Sequence, residues 1–249
     1  MPDDAKTMNR LVISYRLLQR LLGLLGLALP LALLAFSLWM GQPPEPSISH
    51  FYYTQMGGFL VGTLSAVGVF LLCYNGYPDE RVNPGPLRRL WADRTFSLLA
   101  GIGAIGVAMF PVKTENLSPP LVLLDPTSQD ATPVYFGFMN AGDRLHYLSA
   151  ALFFVCITIL VLFFFPRGEQ RRTKRKITYY LCGLTMLGAL GVMFVALRPA
   201  SGEADRGSLL FIYESIAVLA FALAWLAKGK ADEGISAGLA KVRRRALRK

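Results

Sequence analysis

Charge is what this chain has little of. Only 17 % of its 249 residues are Asp, Glu, Lys or Arg, against about 25 % in a soluble domain. That shortage argues against an ordinary cytosolic enzyme. Histidine is scarcer still, with two in the whole chain. A three-histidine hydrolase site is therefore excluded, and neither HExxH nor HxxxH occurs. The three cysteines, Cys73, Cys156 and Cys182, all lie in apolar stretches. No CxxC is present, so neither a disulfide framework nor a thiolate metal site is implied. They read as small packing residues. No Ser-centred GxSxG occurs, and residues 101–106 only mimic a dinucleotide-binding GxGxxG. Those glycines sit mid-run with no strand before them, which excludes that reading. No cofactor is implied. Period-2 alternation is missing too, which argues against a β-barrel.

Apolar residues make up 53 % of the sequence, and mean hydropathy is +0.42. Six apolar stretches reach the roughly 20 residues that a bilayer-crossing helix needs. They are Leu18–Met40, Met56–Tyr74, Thr95–Val112, Leu145–Phe165, Ile177–Leu197 and Ser208–Lys228. Each is apolar around its circumference, unlike the one-sided helix of a soluble protein. Pro111, Pro166 and Pro199 are expected to close the third, fourth and fifth, because proline cannot donate the next helical hydrogen bond. The first stretch has a basic lead and an Ala35-Phe36-Ser37 sequence that imitates a cleavage site. Its apolar core is longer than the 7–15 residues usual for a signal peptide, so it reads as an uncleaved span. Pro30 is expected to kink it. The fold class expected is all-α integral membrane, a six transmembrane helix bundle. Residues 1–228 form one six-span domain and 229–249 a basic cytoplasmic tail.

The formal net charge of +10 would suggest nucleic acid in a soluble protein. Its distribution says otherwise. Lys6, Arg10, Arg16 and Arg20 precede the first span, and Arg81, Arg88, Arg89 and Arg94 precede the third. Arg167, Arg171, Arg172, Lys174, Arg175 and Lys176 precede the fifth. The tail adds Lys228, Lys230, Lys241, Arg243, Arg244, Arg245, Arg248 and Lys249. These are 22 of the 26 basic residues, and all fall on one side; Lys113, Arg144, Arg198 and Arg206 fall on the other. The positive-inside rule then places both termini in the cytoplasm, N-in/C-in, in the cell's inner (plasma) membrane. Anionic lipids at the cytoplasmic face are the partner expected; nucleic acid is not. Leu87–Arg94 is read as a short interfacial helix with Trp91 at headgroup level. The outer loop 113–144, with apolar clusters and prolines, is expected to fold back on the membrane. The tail reads equally as an amphipathic surface helix or a solvated segment.

Small residues mark helix contacts. Gly58 and Gly62 in the second span, followed by Ser65 and Gly68, and Ala100, Ala104 and Ala108 in the third, with Gly101, Gly103 and Gly106 beside them, form ridges that let backbones approach. These two spans are expected to pack near the centre of the bundle.

An ionisable residue in lipid is a functional candidate. Glu214 is the acid that lies well inside a span, six residues past Ser208 and so roughly 9 Å deep. His146 opens the fourth span inside Asp143-Arg144-Leu145-His146-Tyr147, His50 precedes the second, and Arg198 closes the fifth. All face the outer compartment. One reading is a polar pocket in the outer leaflet formed by Glu214, His146, Asp143, Arg144, Arg198 and His50, binding or sensing a lipid or small ligand without catalysis. A second is a membrane-embedded lipid hydrolase holding zinc on His146, Glu214 and His50. The bland reading is that Glu214 pairs with His146, Arg144 or Arg198 and locks the bundle. A small transporter is the remaining class. The inner half offers no intramembrane charge to line a path, which counts against it. Asp93 reads as an interfacial salt bridge with Arg89 or Arg94.

Four runs carry a resemblance: SISHFYYTQMGGFLVGTLSAVGVFLLCYNGY, LLAGIGAIGVAMFP, HYLSAALFFV and YESIAVLAFALAWLAKG. Together they resemble a group of uncharacterised bacterial multi-pass membrane proteins, domains of unknown function. In layout the chain is also similar to the DRAM/Frag/Sfk family of six-span proteins. The resemblance implies six helices and no established activity. It also implies that His146 and Glu214 belong to the matching runs while position 50 varies, which makes His50 the weaker site candidate.

Overall fold

The computed structural model describes residues 2–76, 91–112, 142–169, 174–196 and 209–230. The loop 113–141, the stretch 77–90, Arg198, Pro199, the side chain of Asp143 and the tail from 231 onward lie outside the described residues. Among the described residues there is no strand. The described residues form six α-helices: α1 Pro2–Trp39, α2 Gly57–Leu72, α3 Asp93–Met109, α4 Gly142–Ile159, α5 Lys174–Ala196 and α6 Leu209–Lys228. A 3-10 helix, Ile48–Tyr53, stands between α1 and α2. Each of the six apolar stretches is thus helical. Four helices are long and apolar enough to cross a membrane: Tyr15–Trp39, Arg144–Arg167, Lys174–Val195 and Leu209–Lys228. α2 is apolar but shorter, about 24 Å at 1.5 Å per residue.

Two proline expectations are refined. α1 runs through Pro30 without a break. The fourth span does not stop at Pro166 but changes pitch before it. It passes into a π turn, Leu160–Phe164, and then a 3-10 turn, Phe165–Gly168, whose first turn accommodates the proline. α3 ends as expected, with Phe110 extended at φ −108°, ψ 96° because the following Pro111 excludes helix there.

The helices pack in chain order as a ring, α1 on α2, α2 on α3, α3 on α4, α4 with its π turn on α5, α5 on α6, and α6 back on α1. Close approaches show that α1 and α6, α2 and α3, and α3 and α4 run antiparallel. Gly23 meets Leu226 while Gly26 meets Phe221 on α6; Gly68 meets Gly101 and Ile105 on α3; Gly106 meets Ser149 and Gly103 meets Phe153 on α4. α1 is therefore a wall of the bundle, with Leu22, Leu29 and Leu33 in its core. The small residues of α2 and α3 are placed differently. Ala100, Ala104 and Ala108 are buried. Gly58 and Gly62 are exposed, and a side chain at Gly62 would meet nothing within 4 Å. At the α2–α3 seam, Gly68 and Gly101 come together. Because α2 is apolar all round, its composition does not say which face turns inward.

Two apolar layers fill the ring. The layer at the 3-10 end holds Leu29, Leu33, Phe36, Phe51, Tyr52, Leu60, Leu64, Phe211 and Val218. The other holds Leu71, Tyr74, Phe153, Leu160, Phe165, Tyr179, Met186, Phe221 and Trp225. The outer surface of the helices is just as apolar. Leu148, Leu181 and Phe194 are each more than 60 % exposed. A soluble protein rarely exposes so much contiguous apolar surface, and lipid is the solvent this surface fits.

The seams give a prediction. Gly103→Ala would drive a methyl to 2.6 Å from the Phe153 nitrogen and 2.7 Å from the Ser149 carbonyl oxygen. It should cost about 1–3 kcal/mol, whereas Gly62→Ala should stay within about 0.5 kcal/mol of the parent. Thermal unfolding in detergent checks both.

Candidate functional site

The residues between Pro46 and Met56 are not α-helical, yet Ser47, Ile48, Phe51, Tyr52, Tyr53 and Thr54 are buried among helices. Non-helical backbone at membrane depth survives only where protein satisfies its polar groups. Here they are satisfied one by one. Phe211, in the first turn of α6, donates its amide to the Pro46 carbonyl at 2.8 Å. The Ile48 amide donates to a Glu214 carboxylate oxygen at 2.6 Å. The His50 amide returns to the Ser47 carbonyl, and the amides of Thr54 and Gly57 go to the carbonyls of Phe51 and Thr54. The Thr54 hydroxyl donates to Phe51 O and accepts from the Met56 amide. Ser47 Oγ and His50 Nδ1 share a 2.6 Å hydrogen bond. The rings of Phe51 and Phe211 pack 5.7 Å apart, which presses the segment onto α6.

Glu214 is half-buried, and among the described residues its hydrogen-bond partner is the Ile48 amide. The expected lock therefore exists with a different partner. Glu214 holds a backbone amide of the 3-10 segment instead of His146 or Arg144. A carboxylate at the start of a short helix also suits the orphan amides there.

His146 is buried and engaged with α3. Its Nδ1–H donates to the Phe110 carbonyl at 2.7 Å, which fixes the tautomer because a carbonyl only accepts. Tyr53 donates its hydroxyl to the Val112 carbonyl. Together these satisfy carbonyls at the C-terminal end of α3, left orphaned by helix geometry. The same device recurs elsewhere. Ser97 donates to the Leu71 carbonyl at the end of α2 at 2.6 Å. Arg20 donates to the carbonyls of Gly229 and Lys230 beyond α6 at 2.8 and 2.9 Å. Of the expected pocket residues, then, Glu214 and His50 meet at one segment, and His146 caps α3. Arg144 is exposed. Among the described residues no group of three or more His, Cys, Asp and Glu is placed to hold a metal ion.

The opposite end carries charge of its own. Asp93, at the start of α3, is 6 % exposed. Gly76 is held in the left-handed region at φ +66°, where an added Cβ would fall about 2 Å from the Asp93 carboxylate. The charges of Asp93 and Glu169 both bear on Lys228, whose ammonium lies 4.7 Å over the Phe165 ring. That end is therefore not free of buried charge. Asp93 was expected in an interfacial salt bridge with Arg89 or Arg94; Arg89 lies outside the described residues, and the Asp93 carboxylate accepts the Arg94 amide at 2.9 Å.

An all-helical bundle with an apolar outer wall and backbone caps crossing between helices is an integral membrane protein. The chain belongs to the DUF998 family, described as a protein of unknown function, whose model matches residues 24–228. That agrees with the expected uncharacterised multi-pass family. No curated protein and no solved structure matches the chain.

The Glu214 tie yields a graded prediction. Glu214→Ala leaves the Ile48 amide unpaired and should cost about 1–3 kcal/mol. Glu214→Gln keeps an acceptor oxygen and should recover most of that loss. The measurement is thermal unfolding of both variants beside the parent.

Proposed function

We propose that the chain is a six-span membrane protein of the cell's inner (plasma) membrane, with both termini cytoplasmic. It binds or senses a lipid or small ligand, without catalysis, at the outer-leaflet end where the 3-10 segment meets α6. The observation that carries this reading is the 2.6 Å bond from the Ile48 amide to Glu214. It spends one carboxylate oxygen on a buried segment while the residue stays half-buried. A donor group arriving at the other oxygen competes for the same charge that anchors the segment, so occupancy and segment position are coupled. His50, bonded to Ser47 in that segment, lies on the moving side of the contact. Asp143, Arg144 and Arg198 stand near the same end by chain position, and His146 by its cap on α3.

The orientation rests on the 22 basic residues that six spans place on one side. The metal-dependent lipid hydrolase gains no observation in its favour, since Glu214 and the Nδ1 of His146 are both engaged by backbone. For the transporter, the argument from missing inner charge no longer applies, given Asp93 and Lys228. The stretch of α6 between the two ends is nevertheless filled by Val218, Phe221 and Trp225, all buried. The likeness of layout to the DRAM/Frag/Sfk family carries none of this reading.

Two measurements test the proposal. Lipids and small molecules that co-purify with the protein should change in Glu214→Gln, with at least one species falling several-fold while folded yield is kept. An identical inventory contradicts a ligand site there. A C-terminal reporter fusion should be active only as a cytoplasmic reporter; periplasmic activity contradicts the orientation.

A further inference from the structure

At the end of the bundle away from the 3-10 segment, aromatic rings gather at the entrance to α3. Trp91, half exposed, lies 5.1 Å from Phe96, 6.0 Å from Phe164 and 6.2 Å from Phe163. Phe163 is also half exposed, so two large rings stand side by side at the surface. Arg167 is exposed, and its guanidinium carbon sits 4.6 Å over the Phe164 ring. Arg94, exposed on the first turn of α3, follows Trp91 by three residues. The Asp93 carboxylate accepts the Arg94 amide at 2.9 Å. Among the described residues neither Arg94 nor Arg167 has a carboxylate partner.

The geometry points to a binding site for one anionic phospholipid of the leaflet at this end. Its phosphate is taken by Arg94 and Arg167, and the first part of its acyl chain lies on Trp91 and Phe163. Three features select that ligand. Stacking on Phe164 holds the Arg167 fork in place, so little side-chain freedom is lost when it binds an anion. Two guanidinia that have no carboxylate partner among the described residues favour a headgroup with net negative charge over a zwitterion. Exposed Trp beside exposed Phe suits the boundary between headgroup and hydrocarbon, where a soluble phosphate has nothing to place. The site lies at the other end of the bundle from the Glu214 contact and stands independently of the function proposed for that contact.

The test is native mass spectrometry of the purified full-length protein, titrated with phosphatidylglycerol and, separately, phosphatidylcholine. The parent should retain phosphatidylglycerol in preference to phosphatidylcholine. The double variant R94Q/R167Q should weaken phosphatidylglycerol binding roughly tenfold or more at an unchanged thermal midpoint. Lys174→Gln, an exposed cation at the start of α5, should leave binding unchanged. Equal retention of the two lipids by the parent overturns the site. So does wild-type phosphatidylglycerol binding by R94Q/R167Q, or an equal loss in Lys174→Gln.

Discussion

One constraint organises this molecule: backbone polar groups cannot be left unpaired where lipid replaces water. The 3-10 segment between α1 and α2 is where it bears hardest. A short α2 leaves the ring incomplete at one end, and the chain fills that gap with backbone that is not α-helical. The filling is stable because α6 supplies both halves of what the segment lacks. The Phe211 amide takes the Pro46 carbonyl, and the Glu214 carboxylate takes the Ile48 amide. Phe51 then packs on Phe211, and the apolar layer of Leu29, Leu33, Phe36 and Leu64 closes around them.

The same constraint explains several other polar side chains inside the bundle. Ser97 serves the end of α2, His146 and Tyr53 the end of α3, and Arg20 the residues that follow α6. Each cap reaches from one element to the end of another. It therefore supplies the missing hydrogen bond and also fixes how far the two can slide. Each such bond contributes only about 1 kcal/mol net, but an orphaned partner in lipid costs several times that.

Hydropathy made the helices legible, because lipid demands uniform apolar runs and leaves little room for other patterns. It also singled out Glu214 and His146 as residues needing an explanation. It did not reveal their partners, since these are backbone groups that every residue carries. Expecting side-chain pairing between them followed from residue type alone. The small residues of α2 did not say which of them meets α3 for a related reason: a helix apolar on all sides has no phase until its neighbours are placed. How deeply Asp93 and Lys228 are enclosed was not legible, because a charge at the edge of a run looks solvated in sequence. In the fold, Gly76 and Phe165 close over them. The π turn at Leu160–Phe164 has no composition signal; it is set by packing against Gly183 on α5.

The central claim is that Glu214 holds the 3-10 segment in place through the Ile48 amide. Amide hydrogen exchange followed at Ile48–Tyr53 in detergent or nanodiscs tests it most directly. In Glu214→Ala these amides should exchange at least tenfold faster than in the parent, while those of α3 and α4 keep their protection and Glu214→Gln falls between. Unchanged exchange at Ile48 in Glu214→Ala, or a uniform increase over all six helices, would contradict the account.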